Sequence, residues 1–351
     1  GPFMNLLVQT DRILANYRIL NKQAGGTPLI PVLEANAYGL GDVAVAKLLA
    51  GEGVRLMAVS RLDEAVRVSE AVRGVDVMLL TPYANEEDIA TILQHDIIGA
   101  VGSNDSAVLY SSLSRKLRCR ARVQLCFDFG MGRFGFEPQE AAKAAQTIKH
   151  LENVELTGVF TILPSGAKPK AKVQEQQLKD FQKVITAIER EGLQPGITHM
   201  ADTAQAALCP RMRLGAVRTG ADLLGRGPQG DRHNLRPVGR CVSEVCDIKW
   251  LAAGSTVGVD GRRKIRKATR VAIVPAGLCD GLFVSPPDKR GFFFRKKEVC
   301  EINGKRLNVI GRAGLTALTV DVTTAECAPG DIVSFDANPL HVSALTRRDY
   351  V

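Results

Sequence analysis

The sequence is poor in features that mark several classes of protein. Aromatic residues make up 5% of its 351 residues, with one tryptophan, so it offers few rings for stacking the bases of single-stranded nucleic acids. No apolar run reaches the roughly 18 residues of a membrane span. No basic segment followed by an apolar one marks a secretory signal. The five histidines form no paired metal-binding motif.

Cysteine is present, but not in the spacing that binds metal. None of the eight cysteines forms a CxxC pair, so the sequence predicts no zinc site. Scattered cysteines in a chain of this length are typical of reduced, mostly buried thiols. The expected location is therefore the cytoplasm.

The net charge of +9 could favour an anionic ligand or nucleic acid. Its densest basic cluster is "GRRKIRK" at residues 261–267. Short runs of this kind usually lie at solvated hairpin tips. Together with the scarcity of aromatic residues, this pattern does not favour a nucleic-acid partner.

Strand-like apolar runs alternate with helix-like segments through the first two thirds of the chain. The runs are continuous rather than alternating, which indicates parallel strands covered on both faces. They lie at 28–35, 55–60, 75–82, 96–103, 121–129, 155–161, 196–201 and 213–221. Segments such as 43–53 and 172–192 have helical spacing between them. Eight such repeats predict an α/β fold, a (β/α)8 TIM-like barrel.

The pattern changes after about residue 235 to short strands separated by turn signals, which predicts a mostly-β domain. The segment 225–237 is rich in glycine and proline, which indicates a linker. We therefore expect a barrel over residues 4–230 and a C-terminal β domain over 235–351.

Seven motifs, in order, resemble those of the alanine racemase family, and they cover nearly the whole chain. They are "PVLEANAYGLG" (31–41), "FDFGMGRFGF" (127–136, like "DTGMGRLGF"), "GVFTILPSG" (158–166, like "GVxTHFxxA"), "THMADTAQAAL" (198–208, like "HxxNSAAAL"), "AVRTGADLLGRGP" (216–228, like "VRPGIALYGLSP"), "PAGLCDGL" (275–282, like "PxGYADGY") and "GRAGLTALTVDVT" (311–323, like "GRVCMDxxxVDVT"). The resemblance implies a barrel with a β domain, a pyridoxal-phosphate cofactor, and a homodimer in which the partner's β domain completes each site.

The resemblance also implies a set of ligand-binding residues. A phenol, a hydroxyl and backbone amides after the "VR" arginine hold the cofactor phosphate in the family, and one arginine faces the pyridine nitrogen. Convergent donors of this kind suit an anion. The matching residues here, with two further groups near the ring, are Tyr38, Arg133, His199, Thr203, Arg218, Gly220 and Ala221.

The catalytic positions depart from the family pattern. Glu34 stands where a lysine holds the cofactor as an imine, and Ala253 stands where the resemblance places the second acid/base group, a tyrosine. A carboxylate cannot form an imine. Other matched positions depart from the family pattern as well, and they are occupied by Cys126, Ile162, Leu278, Gly314, Leu315, Thr316 and Ala344. No catalytic residue is therefore assigned.

Two roles are open for Glu34 at the end of its strand. It could form an ion pair with Arg133 or Arg218, filling the space of the lysine. Alternatively, it could hold a cationic group of a ligand, such as an amine. We expect no covalently bound cofactor, while pyridoxal phosphate or pyridoxamine phosphate could bind without a covalent bond.

These observations leave two main hypotheses for function. The first is an alanine racemase-like pseudoenzyme that binds a small anionic or amino-acid-like ligand, or a protein partner, in the barrel mouth. The second is an isomerase or other enzyme with altered chemistry that uses Glu34 as a base. The second would need a titratable group facing Glu34, and no motif supplies one.

Overall fold

The structure is a computed structural model, and it describes residues 4–165, 170–226, 234–283 and 297–351. The chain divides into two units, which are described separately: Leu14–Leu235, and Gly1–Ile13 together with Arg236–Val351. The first strand, β1 (Asn5–Val8), belongs to the second of these units. Most of the expected linker, residues 227–233, lies outside the described residues.

Eight parallel strands form the barrel of the first unit. They are β2 (Leu29–Pro31), β3 (Leu56–Val59), β4 (Asp76–Leu79), β5 (Gly99–Val101), β6 (Ala121–Phe127), β7 (Val154–Thr161), β8 (Ile197–His199) and β9 (Val217–Thr219). Each pairs with the next in the chain through ladders or single bridges, and β9 pairs with β2 to close the ring. The predicted barrel is confirmed, and each predicted run contains one strand.

Helices connect the strands and cover the outside of the barrel. They are α1 (Thr10–Gln23), α2 (Glu34–Tyr38), α3 (Asp42–Gly51), α4 (Leu62–Ala71), α5 (Glu86–Gln94), α6 (Asn104–Lys116), α7 (Ala141–His150), α8 (Ala171–Arg190) and α9 (Thr203–Leu208). Helix α8 buries Leu178, Phe181, Val184 and Ile188, which recur every three or four residues. The sequence spacing predicts a stripe of Leu178, Phe181, Ile185 and Ile188. The structure differs at one position, because Val184 is buried while Ile185 is only partly buried.

Alternate residues of the strands fill the barrel interior. This inner core includes Ile30, Val32, Ala58, Met78, Leu80, Ile98, Ala100, Cys126, Phe160 and Ala216. Because all eight strands are parallel, their C-terminal ends meet at one face, where barrel proteins build their sites. The side chains that continue the inner rows beyond the apolar layer therefore lie at this face, the barrel mouth.

The segment α2 is a left-handed turn, which non-glycine residues rarely form. Ala35, Asn36, Ala37 and Tyr38 have φ of 53°, 57°, 52° and 54°. Left-handed helical geometry costs roughly 1–2 kcal/mol for each L-residue. Such a run persists only where its surroundings compensate for the strain.

The buried carboxylate of Glu64 on α4 supplies part of that compensation. It accepts hydrogen bonds from the backbone N–H of Asn36 at 3.0 Å and of Arg61 at 3.1 Å. The side-chain oxygen of Asn36 in turn accepts from the backbone N–H of Asp42 at 2.9 Å. The left-handed turn is therefore tied to the starts of α3 and α4.

The strands of the second unit pair in antiparallel fashion, except that β1 and the last strand, β19, are parallel. Besides β1, they are β10 (Arg240–Glu244), β11 (Asp247–Leu251), β12 (Thr256–Val257), β13 (Arg263–Lys264), β14 (Thr269–Val274), β15 (Val299–Ile302), β16 (Lys305–Asn308), β17 (Leu318–Asp321), β18 (Ile332–Asp336) and β19 (Arg347–Tyr350). The larger sheet has the order β16-β15-β18-β10-β1-β19, and the smaller one has the order β11-β14-β17. The predicted C-terminal β domain is confirmed.

The start of the chain differs from the expected domain boundary. Residues from 4 onward were assigned to the barrel, but β1 pairs with β10 and β19 of the second unit. The four-residue strand Asn5–Val8 carries no sequence signal for its partner, because pairing partners far apart in the chain are chosen by the folded sheet. Among the described residues, no helix is long and apolar enough to cross a membrane.

We predict that Glu64→Ala destabilises the protein by about 2–4 kcal/mol, because two partly buried backbone N–H groups lose their acceptor and the strained turn loses its anchor. Urea unfolding measures the change. Glu70 is an exposed residue of the same helix, and Glu70→Ala is the control, expected to change the free energy of unfolding by less than about 0.5 kcal/mol. Equal effects of the two substitutions would contradict the anchoring role.

Candidate functional site

Glu34 and Ser60 lie side by side at the barrel mouth. Ile30 and Val32 face the interior, and Glu34 continues their alternation just beyond β2. On the neighbouring strand, Ala58 pairs with Val32, and Ser60 is the next residue on its inner face. The register of the first two barrel strands therefore brings these two polar side chains together.

Two hydroxyl groups, rather than an arginine, hold the Glu34 carboxylate. Ser60 Oγ donates to one carboxylate oxygen at 2.5 Å, and the Tyr38 hydroxyl donates to the other at 3.1 Å. Within the described residues, no arginine lies within salt-bridge distance of Glu34. The expected ion pair with Arg133 or Arg218 is therefore not formed, because hydroxyls from β3 and from the left-handed turn are nearer.

The left-handed turn directs the Tyr38 side chain back across the mouth, toward the end of β9. Gly220 lies directly beneath its ring: a Cβ at Gly220 would be 2.5 Å from the Tyr38 hydroxyl oxygen. Burial raises the pKa of Tyr38 well above its usual range, and the carboxylates of Glu34, Asp202 and Asp222 raise it further. Tyr38 is therefore a neutral hydrogen-bond donor whose proton is directed to Glu34.

Thr203, the first residue of α9, is also engaged by a carboxylate. Its hydroxyl donates to Asp222 Oδ2 at 2.6 Å and lies 3.3 Å from the Thr219 hydroxyl. Asp222 is in the short 3-10 turn Ala221–Leu224, which begins directly after Gly220. Tyr38 thus lies over Gly220, and Thr203 contacts the turn that begins directly after it, where Asp222 adds an acidic residue.

Arg218 and His199 form a buried polar chain inside the barrel. Arg218 Nη1 donates to His199 Nδ1 at 2.8 Å, and its Nη2 donates to the Thr161 carbonyl at 2.9 Å. His199 Nε2 lies 2.7 Å from Gln124 Oε1, and the His199 ring stacks on Phe160 with centroids 5.0 Å apart.

The protonation states of this chain follow from burial. Burial, and then the Arg218 charge, lower the pKa of His199 well below its usual value. Burial also lowers the pKa of Arg218 to about 10, which leaves the guanidinium protonated at neutral pH. A neutral His199 that accepts at Nδ1 must carry its hydrogen on Nε2, where it donates to Gln124.

Arg133 lies apart from these groups, at the rim of the mouth. It is exposed, and its guanidinium carbon is 5.2 Å from the centroid of the Phe134 ring. With Cys126 and Ile162 it lines a cavity of only about 10 Å³. Burial raises the pKa of Cys126 to about 12, so this thiol stays protonated and is not a nucleophile.

The second unit offers no phenol near the position expected for the second acid/base group. Ala253 lies in the exposed turn between β11 and β12. The whole segment 252–268 contains no tyrosine, histidine or cysteine. Two further positions that depart from the family pattern carry exposed apolar side chains. Leu278 is 38% exposed and Leu315 is 69% exposed. The segment 252–268 lacks the phenol that the family resemblance places there. Among the described residues, no cluster of three metal-binding side chains occurs either.

A parallel barrel whose mouth carries the polar residues, followed by a β domain, defines the class of barrel proteins with C-terminal-face sites. Two family models match: the alanine racemase N-terminal domain over residues 8–228 and the alanine racemase C-terminal domain over residues 238–345. The chain belongs to the alanine racemase family.

Relatives agree with this family assignment, and solved structures share the fold. The chain is 30% identical to an alanine racemase of Carboxydothermus hydrogenoformans over 330 residues, covering 92% of this chain and 87% of the relative. It is 29% identical to that of Desulfovibrio desulfuricans, covering 90% and 83%. It superimposes on Clostridium difficile alanine racemase with a TM-score of 0.86, 24% identity, and coverage of 100% and 96%.

A further solved structure of the same fold contains a cofactor. It is alanine racemase from Bartonella henselae with covalently bound pyridoxal phosphate, with a TM-score of 0.81, 23% identity, and coverage of 100% of both chains. The residues of the present chain do not fit that group. Glu34 has no amine for an imine, and the Thr203 hydroxyl that would face a phosphate already donates to Asp222.

Several residues of the site were not singled out in the sequence. Ser60 and Gln124 lie in or just after strand segments, and their period-two position relative to inner apolar residues could have indicated that they face inward. Asp222 stands where "VRPGIALYGLSP" has an alanine, so the departure itself was a signal. The partner of each of these residues, however, comes from another strand or loop, which no local pattern specifies.

We predict that part of the pH dependence of stability comes from His199. The unfolded chain takes up a proton near the ordinary histidine pKa of 6.5, whereas folded His199 stays neutral. Stability is therefore lost as pH falls below this value, by at most about 1.4 kcal/mol per pH unit. Urea unfolding at a series of pH values from neutral to mildly acidic should show a shallower slope for His199→Gln.

The matched control is His150→Gln, because His150 is exposed at the end of α7. It should keep the wild-type slope. A slope that is unchanged in His199→Gln, or lost equally in both variants, would disprove the assignment.

Proposed function

We propose that this member of the alanine racemase family does not catalyse pyridoxal-phosphate-dependent racemisation. The observation that carries the proposal is the Glu34 carboxylate, which stands in place of the imine-forming lysine and accepts hydrogen bonds from Ser60 and Tyr38. A carboxylate has no nucleophilic nitrogen, so the covalent attachment of the cofactor is lost.

The proton-transfer groups support the same proposal. Racemisation at a carbon centre needs an acid or base on each face of the planar intermediate. The family lysine would supply one of these groups, and Glu34 replaces it. The partner tyrosine would supply the other, but the segment 252–268 has no phenol. Ile162 at the end of the seventh strand is also unable to transfer a proton.

We propose that the barrel mouth instead binds a small amino-acid-like ligand. Glu34 is held in place by two hydroxyls and is only partly buried, so it can accept hydrogen bonds from a ligand ammonium. Arg133, exposed at the rim of the same barrel face, can reach a ligand carboxylate. The remaining expected binding residues, His199 and Arg218, form the buried floor of this site.

The alternative, an enzyme that uses Glu34 as a base, has less support. The two groups that donate to Glu34 are the hydroxyls of Ser60 and Tyr38, and a serine hydroxyl is too weak an acid to serve as the proton-transfer partner of a base. Tyr38 is also an unsuitable acid partner, because its pKa is raised far above neutral pH, mainly by burial.

A homodimer is proposed from family membership. In the family the partner's β domain completes each site, and the present chain matches the family models for both domains. The cytoplasmic location expected from the scattered cysteines stays a prediction, as does a protein partner at the barrel mouth.

We predict that the protein neither racemises alanine nor forms an imine. Incubation with pyridoxal phosphate, followed by borohydride reduction and peptide mapping, should give no stoichiometric adduct at any lysine. Incubation with L-alanine in deuterated water and added cofactor should give no α-proton exchange above that of the free cofactor. A single stoichiometric adduct at a barrel lysine, or formation of D-alanine, would overturn the proposal.

We predict that alanine binding depends on the charge of Glu34. Glu34→Gln removes the negative charge opposite the ligand ammonium, so calorimetric titration with alanine should show affinity weakened by about tenfold or more. Glu70→Gln, an exposed change on α4, should leave the affinity unaltered. Equal binding of alanine by wild type and Glu34→Gln, or no binding at all, would rule out the proposed ligand contact.

A further inference from the structure

The hydroxyl of Thr203 has a single hydrogen, and the structure shows where it goes. Thr203 Oγ1 donates to Asp222 Oδ2 at 2.6 Å, and its other near neighbour is the Thr219 hydroxyl at 3.3 Å. A phosphate held at this place would need the same hydrogen. The family resemblance assigns the Thr203 hydroxyl to the phosphate, but in this structure that hydroxyl already donates to Asp222.

Asp222 also places a negative charge where a phosphate would lie. It follows Gly220 and Ala221, whose backbone amides the resemblance assigns to the same anion. The effect of its charge reaches across the site, because Asp222 contributes to the raised pKa of Tyr38 together with Glu34 and Asp202. A phosphate entering this space would meet like charges at short range, which is unfavourable.

The sequence change behind this arrangement is one residue. In "VRPGIALYGLSP" the residue after the isoleucine is alanine, and in "VRTGADLLGRGP" the corresponding residue is Asp222. A methyl group there could neither accept from Thr203 nor repel an anion. The neighbouring phenol is also directed elsewhere, since the Tyr38 hydroxyl donates to Glu34.

We propose that Asp222 is a specificity-determining residue that excludes phosphate-bearing ligands from this site. The inference rests on the proposed function and deepens it: Glu34 removes the covalent attachment, and Asp222 independently removes the anion site. The ligand class of the mouth is therefore small and without a phosphate. If a lysine were restored at position 34, it would form an imine with pyridoxal phosphate. The phosphate group would add little to the affinity.

The test compares two probes, pyridoxal phosphate and pyridoxal, in the full-length protein. The variants are Glu34→Lys, Asp222→Ala and the double variant. Imine formation is followed by visible absorbance and by mass after borohydride reduction, and non-covalent binding by calorimetry. The decisive quantity is the ratio of the affinities for the two probes, because this ratio isolates the contribution of the phosphate from that of the imine.

In Glu34→Lys we expect the two probes to bind with similar affinity. In the double variant we expect pyridoxal phosphate to bind at least about tenfold more tightly than in Glu34→Lys, with pyridoxal unchanged, because one carboxylate no longer competes for Thr203. Asp222→Ala alone should raise non-covalent affinity for pyridoxal phosphate by a similar factor. A strong preference of Glu34→Lys for pyridoxal phosphate, equal to that of the double variant, would overturn the inference.

Two further variants keep the test decisive. Asp222→Asn removes the charge but retains an oxygen that can accept from Thr203, so it covers the case in which Asp222→Ala does not fold. Asp105→Ala removes an exposed carboxylate from the start of α6 and should leave the probe ratio unaltered. The proposed function fails separately, if the wild-type chain itself forms an imine at another lysine with both probes.

Discussion

The pairing of β9 with β2 is the constraint on which the site depends. It closes the barrel by setting Ile30 opposite Arg218 and Pro31 opposite Thr219, and the Val32 N–H donates to the Thr219 carbonyl at 2.7 Å. Since the two strands are parallel, the residues that follow them meet at the same face. The beginning and the end of a segment almost 190 residues long thereby form one mouth.

Within that mouth, the protein's own side chains satisfy the groups that would otherwise face a cofactor. Glu34 accepts from Ser60 and Tyr38, and Asp222 accepts from Thr203. Each hydroxyl has one hydrogen to give, so these carboxylates take the donors a phosphate would use. The site is acidic where the family's motifs suggest an anion site. The two carboxylates stand in loops at the barrel mouth, and the eight strands of the barrel keep the family fold.

Two features hold polar side chains in place at this mouth: the buried floor of the site and the left-handed turn at its entrance. The buried chain from Arg218 through His199 to Gln124 fixes the inner end of the mouth. The left-handed turn at Ala35–Tyr38 is strained, and Glu64 holds it from outside the site. Strained backbone of this kind persists where the surrounding structure compensates for it, often at a functional site. Here the strained turn places the Tyr38 side chain over Gly220.

The sequence by itself determined the barrel, the β domain and the family, because strand and helix periodicity are local properties and the seven motifs are contiguous. It also determined that position 34 offers no amine, since a carboxylate there cannot form an imine in any fold. Only the tertiary structure decided which groups face Glu34: Ser60 lies 26 positions away, and the expected arginines are not its partners. It also decided that Thr203 meets Asp222 and that β1 joins the second unit. These outcomes depend on strand register and on loops that approach one another only after the barrel closes, and no short pattern along the chain encodes such distances.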